Sequence, residues 1–210
     1  MQISLTDYIN RAYETFPLLT RYAYPWQATA QAVALVEEWL RTLGDDYRVR
    51  DGVAIHRTAM VEEGVVLKGP VVVSAGCFLA AHAYLRGGVF LDEGVTVGPG
   101  CEVKSSFLFQ GATLAHFNFV GDSLVGAGVN LEAGAVTANH YNERSRKDIT
   151  VRIAGQLIPT GVLKFGALIG DGSRLGANAV TSPGTILPPG SVVGRLELVE
   201  QVKLPLPPPA

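Results

Sequence analysis

His116 is the residue best placed by type to carry chemistry in this chain. It stands in the stretch LAHFNFVGDS, and a neutral imidazole near pH 7 can take a proton from an attacking nucleophile. Arg86 and Lys104 come next, because they are eighteen residues apart. If the chain coils with that period, both project from one outward corner on adjacent rungs. Two stacked cations repel, and a phosphate or diphosphate would offset this, with Arg as a fork and Lys as a point charge.

A six-residue repeat sets that period and must position these residues. Every sixth residue from Val61 is apolar, through Leu67, Val73, Leu79, Leu85, Leu91, Val97 and Val103 to Phe109, with Ala115 the first small residue in the series. Four places after most of these comes a small residue, often preceded by glycine, as in Gly76-Cys77 and Gly100-Cys101. Helices repeat at 3.6 and single strands at 2, so a six-residue period points to short strands joined by tight corners. Three such strands close one coil, and coils stack about 4.8 Å apart. The phase turns Cys77 and Cys101 inward as buried free thiols and Arg86, Lys104 and His116 outward.

The pattern breaks twice. A ten-residue step separates Ala115 from Val125, and a polar excursion follows Thr137 before the repeat resumes at Ile169. Within that excursion DITVRI and QLIP alternate around Ala154-Gly155, which predicts a hairpin projecting from the coil at about 139–161. Upstream, Pro25 to Leu43 reads as one helix with Val33, Val36, Trp39, Leu40 and Leu43 on its apolar face and Gly44 as its stop. A shorter helix is expected over residues 4–15, and the helical segment 1–50 is expected to cap the open first rung. The solenoid is assigned 51–198, and 199–210 is read as an extended Pro-rich tail.

Composition agrees with a well-buried globular protein: 48% of residues are apolar, 17% are charged, and 24 are glycine. The net charge of −2 gives no polybasic surface for nucleic acid. No apolar run is long enough to span a membrane and no secretory signal is visible, so a cytoplasmic location is expected.

The segments YLRGG, EVKSS, LAHFNFVGDS and GAGVNLEAGAVTANH resemble the acetyltransferase half of the bacterial bifunctional glucosamine-1-phosphate acetyltransferase/N-acetylglucosamine-1-phosphate uridyltransferases. TVRIAGQLIPTGVLKFGALIGDG is similar to archaeal-type sugar-1-phosphate nucleotidyltransferases, and the likeness covers roughly 53–194. The resemblance implies a left-handed parallel β-helix, a homotrimer, and sites in grooves between subunits. It implies acetyl-CoA as co-substrate, a sugar phosphate as acceptor, and His116 as the general base that deprotonates the acceptor amine. Arg86 and Lys104 would then hold the sugar phosphate, and Asn130 and Asn139 the sugar. The small residues around Ala133, Gly134, Gly170 and Ala179 would admit the pantetheine arm.

Three departures from the family pattern bear on that transfer. Phe119 stands where the family has a phosphate-contacting tyrosine, so a hydroxyl donor is missing. His140 replaces an aromatic residue, and Ser145 replaces a lysine, with Arg144, Arg146 and Lys147 nearby. About fifty residues precede the coil, with no Gly-rich phosphate loop, so uridyl transfer is not expected. Two other readings remain open: a non-catalytic trimeric scaffold that binds sugar phosphate or CoA, and a metal enzyme of the γ-class carbonic anhydrase type. The latter requires three converging histidines, whereas His82 and His116 fall at different corner positions and no close histidine pair occurs around 116–122.

Overall fold

The computed structural model describes residues 3–203. The repeat closes into a parallel β-solenoid of three faces. Face 2 is a seven-stranded parallel ladder that begins at Met60–Val61 and ends at Val192–Val193. Faces 1 and 3 are joined because two strands, Tyr84–Leu91 and Glu102–Leu108, bend from face 3 onto face 1. Inside, single columns of Val, Leu and Ile stack in register, as in Leu79, Val97, Leu114, Leu131 and Leu175 on face 2. Each such side chain removed from water contributes about 1.5–3 kcal/mol before entropy is counted.

The six-residue phase holds to Val103 and then slips. Partners below this point are eighteen residues apart, as in Leu85 with Val103. Above it, as far as the excursion, they are seventeen apart, as in Leu91 with Leu108 and Val103 with Val120, and beyond the excursion eighteen again, as in Leu175 with Val193. The cause is a β-bulge in which Gly87 and Gly88 together oppose Ser105. The inward residues are therefore Leu108 and Leu114, not Phe109 and Ala115. The ten-residue step read across HFNFVGDSL is in fact two regular strands, Phe119–Gly121 and Leu124–Val125.

Phe109 belongs to a second apolar cluster outside the coil. On face 1 alone the outward column is also apolar: Ala54, Val72, Phe90, Phe107, Leu124, Leu168 and Ile186. The N-terminal helices lie along it. The expected single helix is two, Pro25–Ala30 and Ala32–Leu40, with Gln31 between them out of helical geometry. Its buried face is Ala32, Leu35 and Val36, and Val33 is exposed. Residues 4–15 contain a 3-10 turn at Leu5–Asp7 and the short helix Ala12–Thr15. Phe16 is fully buried where the segment meets face 1, with ring centroids 4.8 Å from Phe90 and 5.2 Å from Phe107. The helices thus buttress one side of the coil rather than plugging its end.

On face 1 the first rung is covered instead by Tyr47–Arg50, which pairs antiparallel with Val53–His56. At the last rung the Gln201 side chain accepts a hydrogen bond from Ile186 N (2.8 Å) and donates one to Ile186 O (2.8 Å), as a further strand would. The Pro-rich remainder of the chain lies outside the described residues.

The excursion after Thr137 leaves and returns at one base, where Phe165 N donates to Asn139 O (3.0 Å). It carries an antiparallel hairpin, Thr150–Ile153 with Gln156–Pro159, turning at Ala154-Gly155. Ile149, Val151 and Ile153 are buried in the face 1 cluster with Leu168 and Ile186. The hairpin is therefore folded down on the coil and does not project from it. Arg144, stacked 3.7 Å over Tyr141 and bound to Glu200 (2.9 Å), fastens the excursion to the final rung.

Candidate functional site

Most of the site residues named from the sequence fall into two groups at opposite edges of face 3. At its far edge, Lys68, Arg86, Lys104 and Gly121 are rung-to-rung partners in one column. Arg86 and Lys104 do stack, as the eighteen-residue spacing requires. Each already has a carboxylate, however: Arg86 is 2.7 Å from Glu102, and Lys104 is 2.8 Å from Asp122. Their mutual repulsion is thus offset within the chain, and no anion is needed to hold them together. The Lys104–Asp122 pair is the more buried, at 15% and 7% side-chain exposure. The spacing carried the signal, since Glu102 and Asp122 lie sixteen and eighteen residues beyond their cations.

Asn139 donates through Nδ2 to the Asp122 carboxylate. The Phe119 ring and the Asn139 amide both lie over Gly121, where an added Cβ would be 2.7 Å from each. Lys104, Asp122, Asn139 and Phe119 therefore converge around a position that has no side chain. Ser105 closes the base of this edge, accepting from Lys104 Nζ (3.2 Å) and donating to Gly87 O (2.8 Å). His140 is half-buried just beyond Asn139.

The second group is the corner between faces 2 and 3. His116 is exposed there, between Thr113–Leu114 and Phe119–Gly121. The chain before it rests on the rung below so closely that a Cβ on Gly98 would fall 1.7 Å from Ala115 O. The His116 carbonyl accepts from Gly134 N of the rung above (2.8 Å). Asn118, buried and not anticipated from the sequence, ties the corner upward by donating to Glu132 O (2.7 Å) and Ala135 O (3.1 Å). Phe117 has φ 51° and is 73% exposed. Among the described residues the His116 ring has no hydrogen-bond partner, so nothing there fixes its tautomer.

Of the small residues expected to line a cofactor groove, Ala133 and Gly134 adjoin His116 on the next rung. Gly170 does not: it sits at the corner between faces 1 and 2, against Pro188 and Pro189. Ala179 points into the coil and is fully buried. Asn130 is exposed on face 2, in register with Thr113 and Arg174, and so is separated from Asn139. Glu132 bridges this corner to the next rung, and its carboxyl is held below the usual range by the Arg195 guanidinium and then the Ala177 N–H.

Gly121, the rung partner of Lys104, follows His116 by five residues of mostly extended chain. At about 3.3 Å per residue the two edges are on the order of 15 Å apart. The Cys77 and Cys101 thiols are buried and free, and burial pushes Cys77 up to about 12. Among the described residues no three His, Cys, Asp or Glu side chains gather as a metal site. Among them, too, no helix is long and apolar enough to cross a membrane.

No protein-family model matches the chain. It is 32% identical over 163 residues to a bifunctional sugar-1-phosphate nucleotidylyltransferase/acetyltransferase of Sulfurisphaera tokodaii, covering 74% of this chain and 40% of the relative. It is 28% identical over 215 residues to the bifunctional protein GlmU of Methanococcus vannielii, covering 95% of this chain and 50% of GlmU. With the uncharacterised acetyltransferase YaiX of Escherichia coli O6:K15:H31 it shares 33% identity over 149 residues, 71% of this chain and 64% of YaiX. The chain thus spans less than two thirds of each of these relatives. Among solved structures, PerB of Caulobacter crescentus, in complex with CoA and GDP-perosamine, covers 86% of this chain and 70% of its own. The identity there is 16% and the TM-score 0.29, an overlap that transfers no geometry. In its repeat, its coil and these sequence likenesses, the chain is similar to proteins that carry a sugar-1-phosphate acetyltransferase or acetyltransferase name.

Proposed function

We propose that this chain is an acetyl-CoA-dependent N-acetyltransferase whose acceptor is an amino-sugar phosphate or a nucleotide-linked amino sugar, and that it works as a homotrimer. The observation that carries this reading is the division of its polar side chains between two edges of face 3. One edge offers Arg86, Lys104 and Asn139 to a phosphorylated sugar, and the other offers His116 beside the small rung of Ala133 and Gly134. An edge of one copy facing the opposite edge of another would assemble one groove from both. A partner copy would also supply the orienting contact that the His116 ring lacks among the described residues.

In that groove the acceptor amine attacks the thioester carbonyl while His116 Nε2 or Nδ1 takes its proton. The tetrahedral intermediate then expels the CoA thiolate, and the imidazolium returns the proton to sulfur. General-base assistance of this kind is worth about 10²- to 10⁴-fold. Phe119 in place of a hydroxyl donor leaves the phosphate to Arg86 and Lys104, which must exchange part of their bonding to Glu102 and Asp122 for it.

Release of CoA thiol in the presence of amino-sugar acceptors tests the reading. His116→Ala is expected to lower the rate at least 100-fold, and equal rates would remove the histidine from the mechanism. Co-assembled His116→Ala and Lys104→Ala chains should regain activity that neither has alone, because some grooves then combine two intact edges. Absence of any recovery would sink the shared site. CoA binding without thiol release from any acceptor would favour a non-catalytic scaffold.

A further inference from the structure

The cation column at the far edge of face 3 is longer than the Arg86–Lys104 pair. Lys68 is the rung partner of Arg86, which is the rung partner of Lys104, so three cations stand on successive rungs about 4.8 Å apart. In the other direction the column ends, because the next position is Gly121. The carboxylates are distributed unevenly along it. Glu102 serves Arg86 and Asp122 serves Lys104, whereas among the described residues Lys68 has no carboxylate within ion-pair distance. Its ammonium lies 5.2 Å from the centroid of the Tyr84 ring, over which the Arg86 guanidinium also sits at 5.7 Å. Three cations against two carboxylates leave one positive charge, and that excess stands at the Lys68 rung.

We propose that Lys68 makes this column a diphosphate-binding strip, so that the acceptor is an amino sugar linked to a nucleoside diphosphate. A sugar monophosphate occupies the span from Arg86 to Lys104 and leaves Lys68 unused. A second phosphate, joined to the first through one bridging oxygen, falls within one rung of it and meets the uncompensated ammonium. Lys68 is exposed, and its weak contact with the Tyr84 ring biases it toward Arg86 and lowers the ordering cost when the anion arrives. The identity of the acceptor rests on the acetyl-transfer reading above; the diphosphate site itself does not.

Calorimetric titration of the full chain with uridine 5′-diphosphate and with uridine 5′-monophosphate tests the site without turnover. Lys68→Ala is expected to weaken the diphosphate about tenfold and the monophosphate less than about twofold, with Lys68→Arg close to wild type. Equal affinity for the diphosphate in wild type and Lys68→Ala overturns the inference. So does an equal loss for both nucleotides, or a wild-type chain that binds no diphosphate. Thiol-release assays then compare an amino-sugar 1-phosphate with its nucleotide-linked form, and Lys68→Ala should raise KM about tenfold for the latter alone. If no acceptor releases thiol while diphosphate binding still depends on Lys68, acetyl transfer fails and the strip stands.

Discussion

Two of the solenoid's corners are built to the same backbone plan from different residues. Between faces 1 and 2 the left-handed position on successive rungs is Gly76, Gly94, Gly111, Gly128, Gly172 and Gly190. Between faces 2 and 3 the same position is Gly64, His82, Gly100, Phe117, Gly134, Asn178 and Leu196. An L-residue there costs roughly 1–2 kcal/mol relative to glycine, so the first corner is relaxed and the second is strained at several rungs. One of the strained residues is Phe117, a bulky side chain left exposed beside His116. Backbone strain that a fold tolerates tends to gather where side chains are needed for work, and the second corner is where the proposed base sits.

The sharpest way to break this comparison uses two glycines. Gly98→Ala, on the approach to the strained corner, would drive a Cβ to 1.7 Å from Ala115 O, and backbone cannot yield that far. Gly94→Ala, at the relaxed corner, meets nothing within 4 Å. Urea unfolding should show a loss of roughly 3–5 kcal/mol or outright misfolding for the first and about 1 kcal/mol for the second. Similar losses would mean that the contact of Gly98 with Ala115 O is relieved at little cost.

Phe117→Asn should raise stability by about 0.5–1 kcal/mol, since Asn enters the left-handed region more readily than a bulky residue. The same variant should lose activity if Phe117 works with His116. A destabilised Phe117→Asn would show that the exposed ring packs better than its 73% exposure implies.

The smallest effect concerns the two thiols, one at each corner. Burial raises both Cys77 and Cys101, so each is protonated at pH 8 and reacts only through local opening. Cys101 should be alkylated faster than Cys77, because its corner stores the strain. Mass spectrometry of partly labelled protein gives the order, and Cys77 reacting first would reverse the assignment.

Much of this was legible in the sequence, and what was missed has physical causes. The repeat announces itself because each strand admits one apolar side chain inward. Its slip at Gly87-Gly88 went unseen because Phe109 is apolar and Ala115 small, so the wrong phase satisfied the pattern as well as the right one. Face 1 compounds this, since its outward residues are as apolar as a core: they bury the N-terminal helices. The Arg86–Lys104 stack is readable from spacing, and Glu102 and Asp122 stand about one rung beyond these cations, where the same spacing marks them. Gly170 and Ala179 were grouped with Ala133 and Gly134 by size, a property that the repeat demands at every corner and inside every rung.

The two ends of the coil carry a further consequence. A stack of parallel rungs is a template, and each open end invites another chain to continue it. Here the lower edge of face 1 is covered by Tyr47–Arg50, running in the opposite sense with Arg48 and Arg50 exposed along it. At the upper end the Gln201 amide occupies the hydrogen-bonding groups of Ile186. On face 1, among the described residues, end-to-end addition is thus opposed at both poles, which favours contact between copies along the sides of the coil.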